Sequence, residues 1–152
     1  MAFPGGFQRM PDETALEAAR REAREETGLD LSDSRVVGTL DDLHPRAAFL
    51  PPIVVTPCVF VVPARAEVAP GAEAEAALWI PVADLFAPEH RTVVTVPFPS
   101  DPREFPAIQV GAELIWGLTE RILSQVGELV GASGPAVPGF ETQPPRGAAP
   151  AR

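Results

Sequence analysis

A cluster of acidic residues near the start of the chain has the residue types and spacing to do chemistry. Glu22, Glu25 and Glu26 stand at positions i, i+3 and i+4, which share one face of an α-helix. Like charges placed in this way repel each other unless a cation lies between them. Neighbouring arginines such as Arg21 could neutralise part of the charge. A divalent metal would do so better, because Mg²⁺ is bound by carboxylate oxygens together with substrate phosphates.

A glycine-rich loop and a helix with defined ends position this cluster. Gly5 and Gly6 allow positive φ angles and a close approach of the backbone to a ligand. Asp12 is predicted as the N-cap of a helix over residues 13–27, with acid in the first turn, where the helix dipole favours it. Gly28 is predicted to end the helix. The helix therefore presents the three carboxylates directly after the loop.

Together with these surroundings, the cluster resembles the Nudix box, the signature of hydrolases that cleave a diphosphate linked to another group. The family pattern is G-x(5)-E-x(7)-R-E-U-x-E-E-x-G-U, in which U is an aliphatic residue. The residues that match it are Glu13, Arg21, Glu22, Ala23, Glu25, Glu26, Gly28 and Leu29. The chain departs from the pattern at Gly6, which lies one residue further from Glu13 than the pattern requires, and Ala23 is small for an aliphatic position.

The resemblance implies hydrolysis assisted by Mg²⁺ or Mn²⁺, in which one carboxylate or the metal activates the attacking water. The metal ligands it implies are Glu22, Glu25, Glu26 and the backbone carbonyl of Gly6. Glu25 and Glu26 are also the predicted catalytic carboxylates, and Arg21 is predicted to orient a box carboxylate such as Glu13 or Glu25. Which glutamate acts as the base stays open. The alternative interpretation is a solvated acidic helix face interspersed with arginine.

The lead-in at residues 3–6 and the lengthened loop are similar to the coenzyme A diphosphatase branch of the family. This likeness implies coenzyme A or a derivative as substrate, with ADP-ribose or another nucleoside diphosphate derivative as the alternative. Arg9 on the loop could bind a phosphate bidentately, and Glu73, with Glu75, could add a substrate contact from a second loop. For these residues, as for His44, a solvated loop position is the alternative.

Composition excludes several other functions. The chain of 152 residues has no lysine, which rules out a Walker A lysine and a Schiff base, and its net charge of −9 argues against nucleic acid as a partner. The single cysteine, Cys58, cannot form a disulfide within the chain, which favours the cytoplasm. No apolar run reaches the ~18 residues of a membrane span, and no signal peptide is evident. The bias towards Ala, Pro, Gly and Arg is typical of a GC-rich bacterial gene.

The order of predicted elements indicates an α+β domain. Strands are predicted at residues 35–40, 53–62, 76–82, 91–98 and 105–110, a helical turn at 83–86, and a helix over 111–130. Strands that follow one another without regular βαβ alternation are typical of α+β layers, and the resemblance implies a mixed sheet between helices. We expect a Nudix domain over residues 1–131 and a disordered Pro/Gly/Ala-rich tail over residues 132–152.

The position of the box within the chain leads to a further expectation. The family's box follows several strands, whereas here Met1 stands almost directly before the loop. We therefore expect an N-terminally truncated domain that lacks some strands of its sheet. A truncated, non-catalytic Nudix-like domain is the rival to an active hydrolase. An incomplete sheet would also leave an exposed edge, which favours pairing into a homodimer.

Overall fold

The computed structural model of the chain describes residues 1–10, 13–45, 52–63, 66–72, 74–98 and 101–132. Its helices and strands are α1 (Ala15–Thr27), β1 (Arg35–Thr39), β2 (Cys58–Val61), α2 (Val82–Phe86), a 3₁₀ turn (Pro88–His90), β3 (Arg91–Val96), β4 (Arg103–Val110), β5 (Glu113–Trp116) and α3 (Leu118–Val130). This arrangement confirms the predicted α+β class and is consistent with a Nudix-like fold. The predicted tail lies outside the described residues from residue 133 onward.

The described strands form two small antiparallel sheets. In the first, β1 pairs with β2, and the register shifts by one residue between Val36 and Gly38. In the second, β3, β4 and β5 follow one another as a meander. An isolated bridge between Leu43 and Val55 extends the first sheet. All strand pairing within the described ranges is therefore antiparallel, rather than that of the single mixed sheet that the resemblance implied.

Local sequence explains where α1 begins and ends. Thr14 and Glu17 form a capping box, in which the Thr14 hydroxyl accepts from the Glu17 N–H and the Glu17 carboxylate accepts from the Thr14 N–H. The N-cap is therefore Thr14 and not Asp12, which lies outside the described residues. Gly28 ends the helix with a φ of 67°, a left-handed conformation that glycine adopts without strain. The buried side of the helix carries Ala18 and Ala23.

Two predicted elements differ from the structure because tertiary pairing decides them. The helix predicted from residue 111 begins only at Leu118, since residues 113–116 form β5 and pair with β4. Ile115 lies opposite Ile108 in that pairing, and a short apolar run suits a strand as well as a helix. The strand predicted over residues 76–82 is absent: residues 76–80 form no regular element, and α2 follows at Val82.

The strand in the apolar, β-branched run at residues 53–62 is shorter than predicted. Of the strand expected over residues 53–62, only β2 is regular, although Val55 bridges to Leu43. Pro57 interrupts the run, as expected of a residue without an N–H to donate. Its carbonyl still accepts a hydrogen bond from Leu40 N at 2.9 Å. The regular strand therefore begins only after Pro57, at Cys58.

The core lies between the three-stranded sheet and α3. Ile108, Ile115 and Leu123 are its buried side chains, and burying a large apolar side chain contributes roughly 1.5–3 kcal/mol. Glu120, only 5% exposed, accepts from Arg91 and Ser124 and so joins α3 to β3. This core holds the sheet and α3 together as one layer.

The helix α1 packs on the other, two-stranded sheet. Its Arg20 guanidinium lies 5.8 Å from the centre of the Phe60 ring on β2. Within the described ranges, no helix has the length and apolar character that crossing a bilayer requires.

Candidate active site

A cleft of about 370 Å³ opens beside the carboxyl-terminal half of α1. Its lining residues are Gly5, Gly6, Arg9, Glu22, Glu25, Glu26 and Ala72. Six of these seven residues belong to the loop and helix that the sequence pattern indicated. The structure therefore brings the predicted metal ligands and Arg9 to one concave surface.

Arg21 lies behind this surface and joins the loop to the helix. Its Nε donates to Glu13 Oε1 at 2.9 Å, and its Nη2 donates to the Phe7 carbonyl at 2.9 Å. Its Nη1 donates to Glu22 Oε1. Side-chain exposure is low for all three charged groups, at 19% for Arg21 and 13% for both Glu13 and Glu22. Arg21 therefore holds Glu22 and the loop backbone in fixed positions, and it makes the contact with Glu13 that the sequence predicted.

The same contacts change the proton affinities of the two partners. The pKa of Glu13 is lowered from its ordinary value of 4.5, chiefly because the Arg21 side chain donates to it and next because the Arg9 N–H does. The pKa of Arg21 is raised by its hydrogen bonds to Glu13 and Glu22. Both shifts favour the charged forms, so the ion pair is present throughout the neutral range.

Arg9 makes a second ion pair at the mouth of the cleft. Its Nη1 and Nη2 donate to Glu25 Oε1 and Oε2 at 2.9 and 2.6 Å, a bidentate arrangement. Both side chains are well exposed, at 60% for Arg9 and 43% for Glu25. The Arg9 backbone N–H donates to Glu13 Oε2 at 2.6 Å, so the start of its side chain is fixed.

Both glycines lie close to glutamates of the cleft, but only Gly6 is so close that a side chain would not fit. The Gly5 N–H donates to Glu26 Oε1 at 3.3 Å. A Cβ atom on Gly6 would lie 2.7 Å from Cδ of Glu22, closer than real side chains come, whereas one on Gly5 would meet nothing within 4 Å. A side chain at Gly6 would therefore displace the Glu22 carboxylate from its present position.

A third segment, residues 66–72, contacts the carboxyl-terminal end of α1. Ala69 N donates to the Thr27 carbonyl at 2.9 Å, and Gly71 N donates to the Glu26 carbonyl at 2.7 Å. These bonds satisfy carbonyls that the end of a helix leaves without partners. They also bring Ala72 to the cleft.

The sequence analysis predicted no helix or strand over residues 66–72 and missed this contact. The dipeptide Pro70-Gly71 was the available signal, because such pairs mark turns at which the backbone can approach closely. Glu73, predicted to bind substrate, lies outside the described residues. His44 and Glu75 are exposed and do not line the cleft.

The donor set of the cleft fits Mg²⁺ or Mn²⁺ by its chemistry. All candidate ligands are oxygens, as these hard cations prefer. Each glutamate, however, is already engaged: Glu22 with Arg21, Glu25 with Arg9 and also, at 3.6 Å, with Arg21, and Glu26 with the Gly5 N–H. In the described part of the chain, no three acidic, histidine or cysteine side chains converge closely enough to form a finished metal site. Binding a cation would therefore require rearrangement of side chains.

Comparison with known proteins agrees with the resemblance to the Nudix family. The sequence model of the NUDIX domain matches residues 1–96, nearly two thirds of the chain, and the chain belongs to this family. The family acts on small nucleoside diphosphate derivatives and generally uses divalent ions such as Mg²⁺ or Mn²⁺.

Two curated relatives extend the comparison. The chain is 28% identical over 127 residues to the uncharacterized Nudix hydrolase NudL of Pectobacterium atrosepticum. That alignment covers 83% of this chain and 64% of the relative. The chain is also 32% identical over 101 residues to an uncharacterized protein of Schizosaccharomyces pombe. This second alignment covers 63% of this chain and 31% of the relative. The chain thus spans less than two thirds of the length of either relative.

Proposed function

We propose that the protein is a metal-dependent hydrolase that cleaves a diphosphate linkage in a small nucleotide derivative. The observation that carries this proposal is the cleft itself, in which three box glutamates, a glycine pair and one arginine meet. The two kinds of side chain have complementary roles there, because carboxylates bind cations and arginine binds phosphate. Family membership supports the same reaction class.

In this proposal Glu22, Glu25 and Glu26, with the Gly6 carbonyl, hold Mg²⁺ or Mn²⁺. The bound ion would supply Lewis-acid stabilisation of the charge that develops on the diphosphate oxygens. Arg9 binds a phosphate oxygen of the substrate, because its fork matches phosphate geometry. Arg21, predicted among the catalytic residues, acts as a positioning residue through its contacts with Glu13 and Glu22.

Glu26 is the proposed acceptor of the proton from the attacking water. Its Oε1 accepts from the Gly5 N–H, and within the described residues no donor is bonded to its Oε2. Both oxygens of Glu25 accept from Arg9, and Glu22 is held by Arg21 and is 13% exposed. Of the three carboxylates, Glu26 thus has the oxygen that is most available to a water molecule.

Coenzyme A or a derivative is the proposed substrate. Support comes from the lead-in at residues 3–6 and from the lengthened loop, which places Arg9 at the mouth of the cleft. Hydrolysis would yield a phosphopantetheine and an adenosine bisphosphate. ADP-ribose is the second candidate, because a sugar-linked nucleoside diphosphate presents the same diphosphate group to the cleft.

The test is an assay of purified protein with Mg²⁺ or Mn²⁺ for release of adenosine 3′,5′-bisphosphate from coenzyme A, run in parallel with ADP-ribose. We expect metal-dependent turnover of coenzyme A. Turnover of ADP-ribose alone would mean that coenzyme A is not the substrate, while the proposed hydrolysis of a diphosphate linkage would stand. A folded sample that turns over neither compound nor other nucleoside diphosphate derivatives would support the non-catalytic alternative.

We also propose that the chain pairs with a second copy through its two-stranded sheet. Val36, Val37, Val54 and Val61 on or beside this sheet are exposed large apolar residues, and an open sheet edge can pair with another strand. Light scattering coupled to gel filtration, over a range of protein concentrations, measures the mass. A mass that stays at 16.1 kDa at every concentration would rule the dimer out.

A further inference from the structure

The two arginines that pair with glutamates at the cleft differ in how firmly they are held. Arg21 contacts Glu13, Glu22 and the Phe7 carbonyl, lies 3.6 Å from Glu25 Oε2 and is 19% exposed, so it cannot leave one partner without disturbing the others. The Arg9 guanidinium contacts Glu25 alone among the described residues and is 60% exposed. The Arg9 pair is therefore the one that can exchange partners.

We infer that Arg9 exchanges Glu25 for the substrate, so that the binding of a divalent cation prepares the cleft for a diphosphate. This inference rests on the proposed function. Without a cation, Arg9 occupies both oxygens of Glu25. If Glu25 held a divalent cation, the Arg9 guanidinium would be released from it and would offer its paired N–H donors to a phosphate group.

The geometry of the loop keeps the released side chain at the cleft. The Arg9 backbone N–H is bonded to Glu13 Oε2 at 2.6 Å, and Glu13 is in turn held by Arg21. The backbone of Arg9 therefore stays in place while its side chain turns. Because that side chain is mostly exposed, it loses little packing when it leaves Glu25.

The exchange has two consequences of opposite sign. Arg9 competes with the cation for Glu25, so removing the guanidinium should tighten cation binding. Arg9 also binds the diphosphate in this proposal, so removing the guanidinium should weaken binding of that ligand. A residue that only neutralised the acidic cluster would produce the first effect alone, and a residue that only bound phosphate would produce the second alone.

The test measures Mn²⁺ binding directly, by electron paramagnetic resonance of the free ion, for wild type, Arg9→Gln and Arg24→Gln. Arg24→Gln is the matched control, because it removes the same charge from the box helix at an exposed position that does not line the cleft. We expect Arg9→Gln to bind Mn²⁺ about two- to five-fold more tightly than Arg24→Gln, as an exposed ion pair permits. Arg9→Lys, which keeps a charge without the fork, should fall between wild type and Arg9→Gln.

Titration of the Mn²⁺-loaded proteins with methylenediphosphonate completes the test. Arg9→Gln should bind this probe several-fold more weakly than Arg24→Gln does. Equal Mn²⁺ affinity in the two glutamine variants, or equal affinity for the probe, would overturn the exchange while leaving the proposed metal site intact. A wild-type protein that binds no Mn²⁺ would instead overturn the proposed function itself.

Discussion

At the scale of single residues, the three box glutamates are distinguished by their partners rather than by their spacing. Glu22 is held by Arg21, Glu25 is bonded to Arg9, and Glu26 accepts one backbone N–H. The sequence places all three on one helix face but does not rank them. The ranking comes from loop residues, since Arg9 lies 16 positions away from Glu25 along the chain.

Glu26→Gln tests the role of the most available carboxylate. The substitution keeps the shape of the side chain and removes its charge and basicity, so we expect hydrolysis to fall by at least about 100-fold with the fold unchanged. Steady-state kinetics and circular dichroism measure the two effects. Glu128→Gln, at an exposed position on α3, is the control and should keep wild-type turnover. Full activity in Glu26→Gln would mean that the carboxylate face is only a solvated surface.

The pKa of Glu13 predicts how stability depends on pH. Because this pKa is lowered in the folded protein, the Arg21–Glu13 pair stabilises the fold above about the ordinary value of 4.5, and the contribution is lost as the pH falls through the lowered pKa. Glu13→Gln should therefore unfold at lower urea concentration than wild type at neutral pH. The difference should shrink at pH values progressively below 4.5. A difference that does not change with pH would contradict this account.

At the scale of elements, the site depends on the contact between residues 66–72 and the end of α1. A Cβ atom on Gly71 would overlap the Glu25 carbonyl oxygen and would come within 3.2 Å of Glu26 Cα. Because both neighbours are backbone atoms of a helix, they cannot move aside as the end of a side chain could. This segment therefore fixes one wall of the cleft.

Gly71→Ala should push this segment away from the helix. We expect Mn²⁺ binding and turnover to fall together, with a loss of about 1–3 kcal/mol in the free energy of unfolding, as is usual when an atom is forced into a filled space. Isothermal titration and urea unfolding measure these changes. Gly5→Ala is the matched control, since a Cβ atom at Gly5 meets nothing within 4 Å and the N–H that bonds Glu26 is retained. Equal behaviour of the two variants would show that the close contact at Gly71 is unimportant.

The elements that the sequence predicts well are those that local contacts decide. The helix α1 stops at Gly28, as predicted, and its N-cap, predicted at Asp12, is Thr14, only two residues later. The strand at residues 113–116 was mistaken for helix because its identity depends on pairing with β4. The contact of Gly71 with α1 joins residues 45 positions apart, from Glu26 to Gly71. No local pattern encodes a contact of that kind.

At the scale of the whole molecule, one side chain of α3 joins the core layer to the part of the chain that carries β1. The Gln125 Oε1 accepts from the Asp41 N–H at 2.9 Å, and the Gln125 Nε2 donates to the Asp41 carbonyl at 3.2 Å. Asp41 follows β1 closely, and β1 pairs with β2, against which α1 packs. Through these contacts the core around Leu123 is connected to the layer that supports the cleft.

Gln125→Ala should weaken that connection without disturbing either layer. We expect a loss of about 1 kcal/mol, the usual net value of such hydrogen bonds, together with faster hydrogen exchange at the Asp41 amide. Gln109→Ala is the matched control, because the Gln109 side chain also makes two hydrogen bonds to backbone groups but does so within the β4–β5 turn. The control should lose similar stability while exchange at Asp41 stays unchanged. If Asp41 exchanged equally fast in both variants, its protection would depend on global unfolding, and Gln125 would not be a specific link between the two layers.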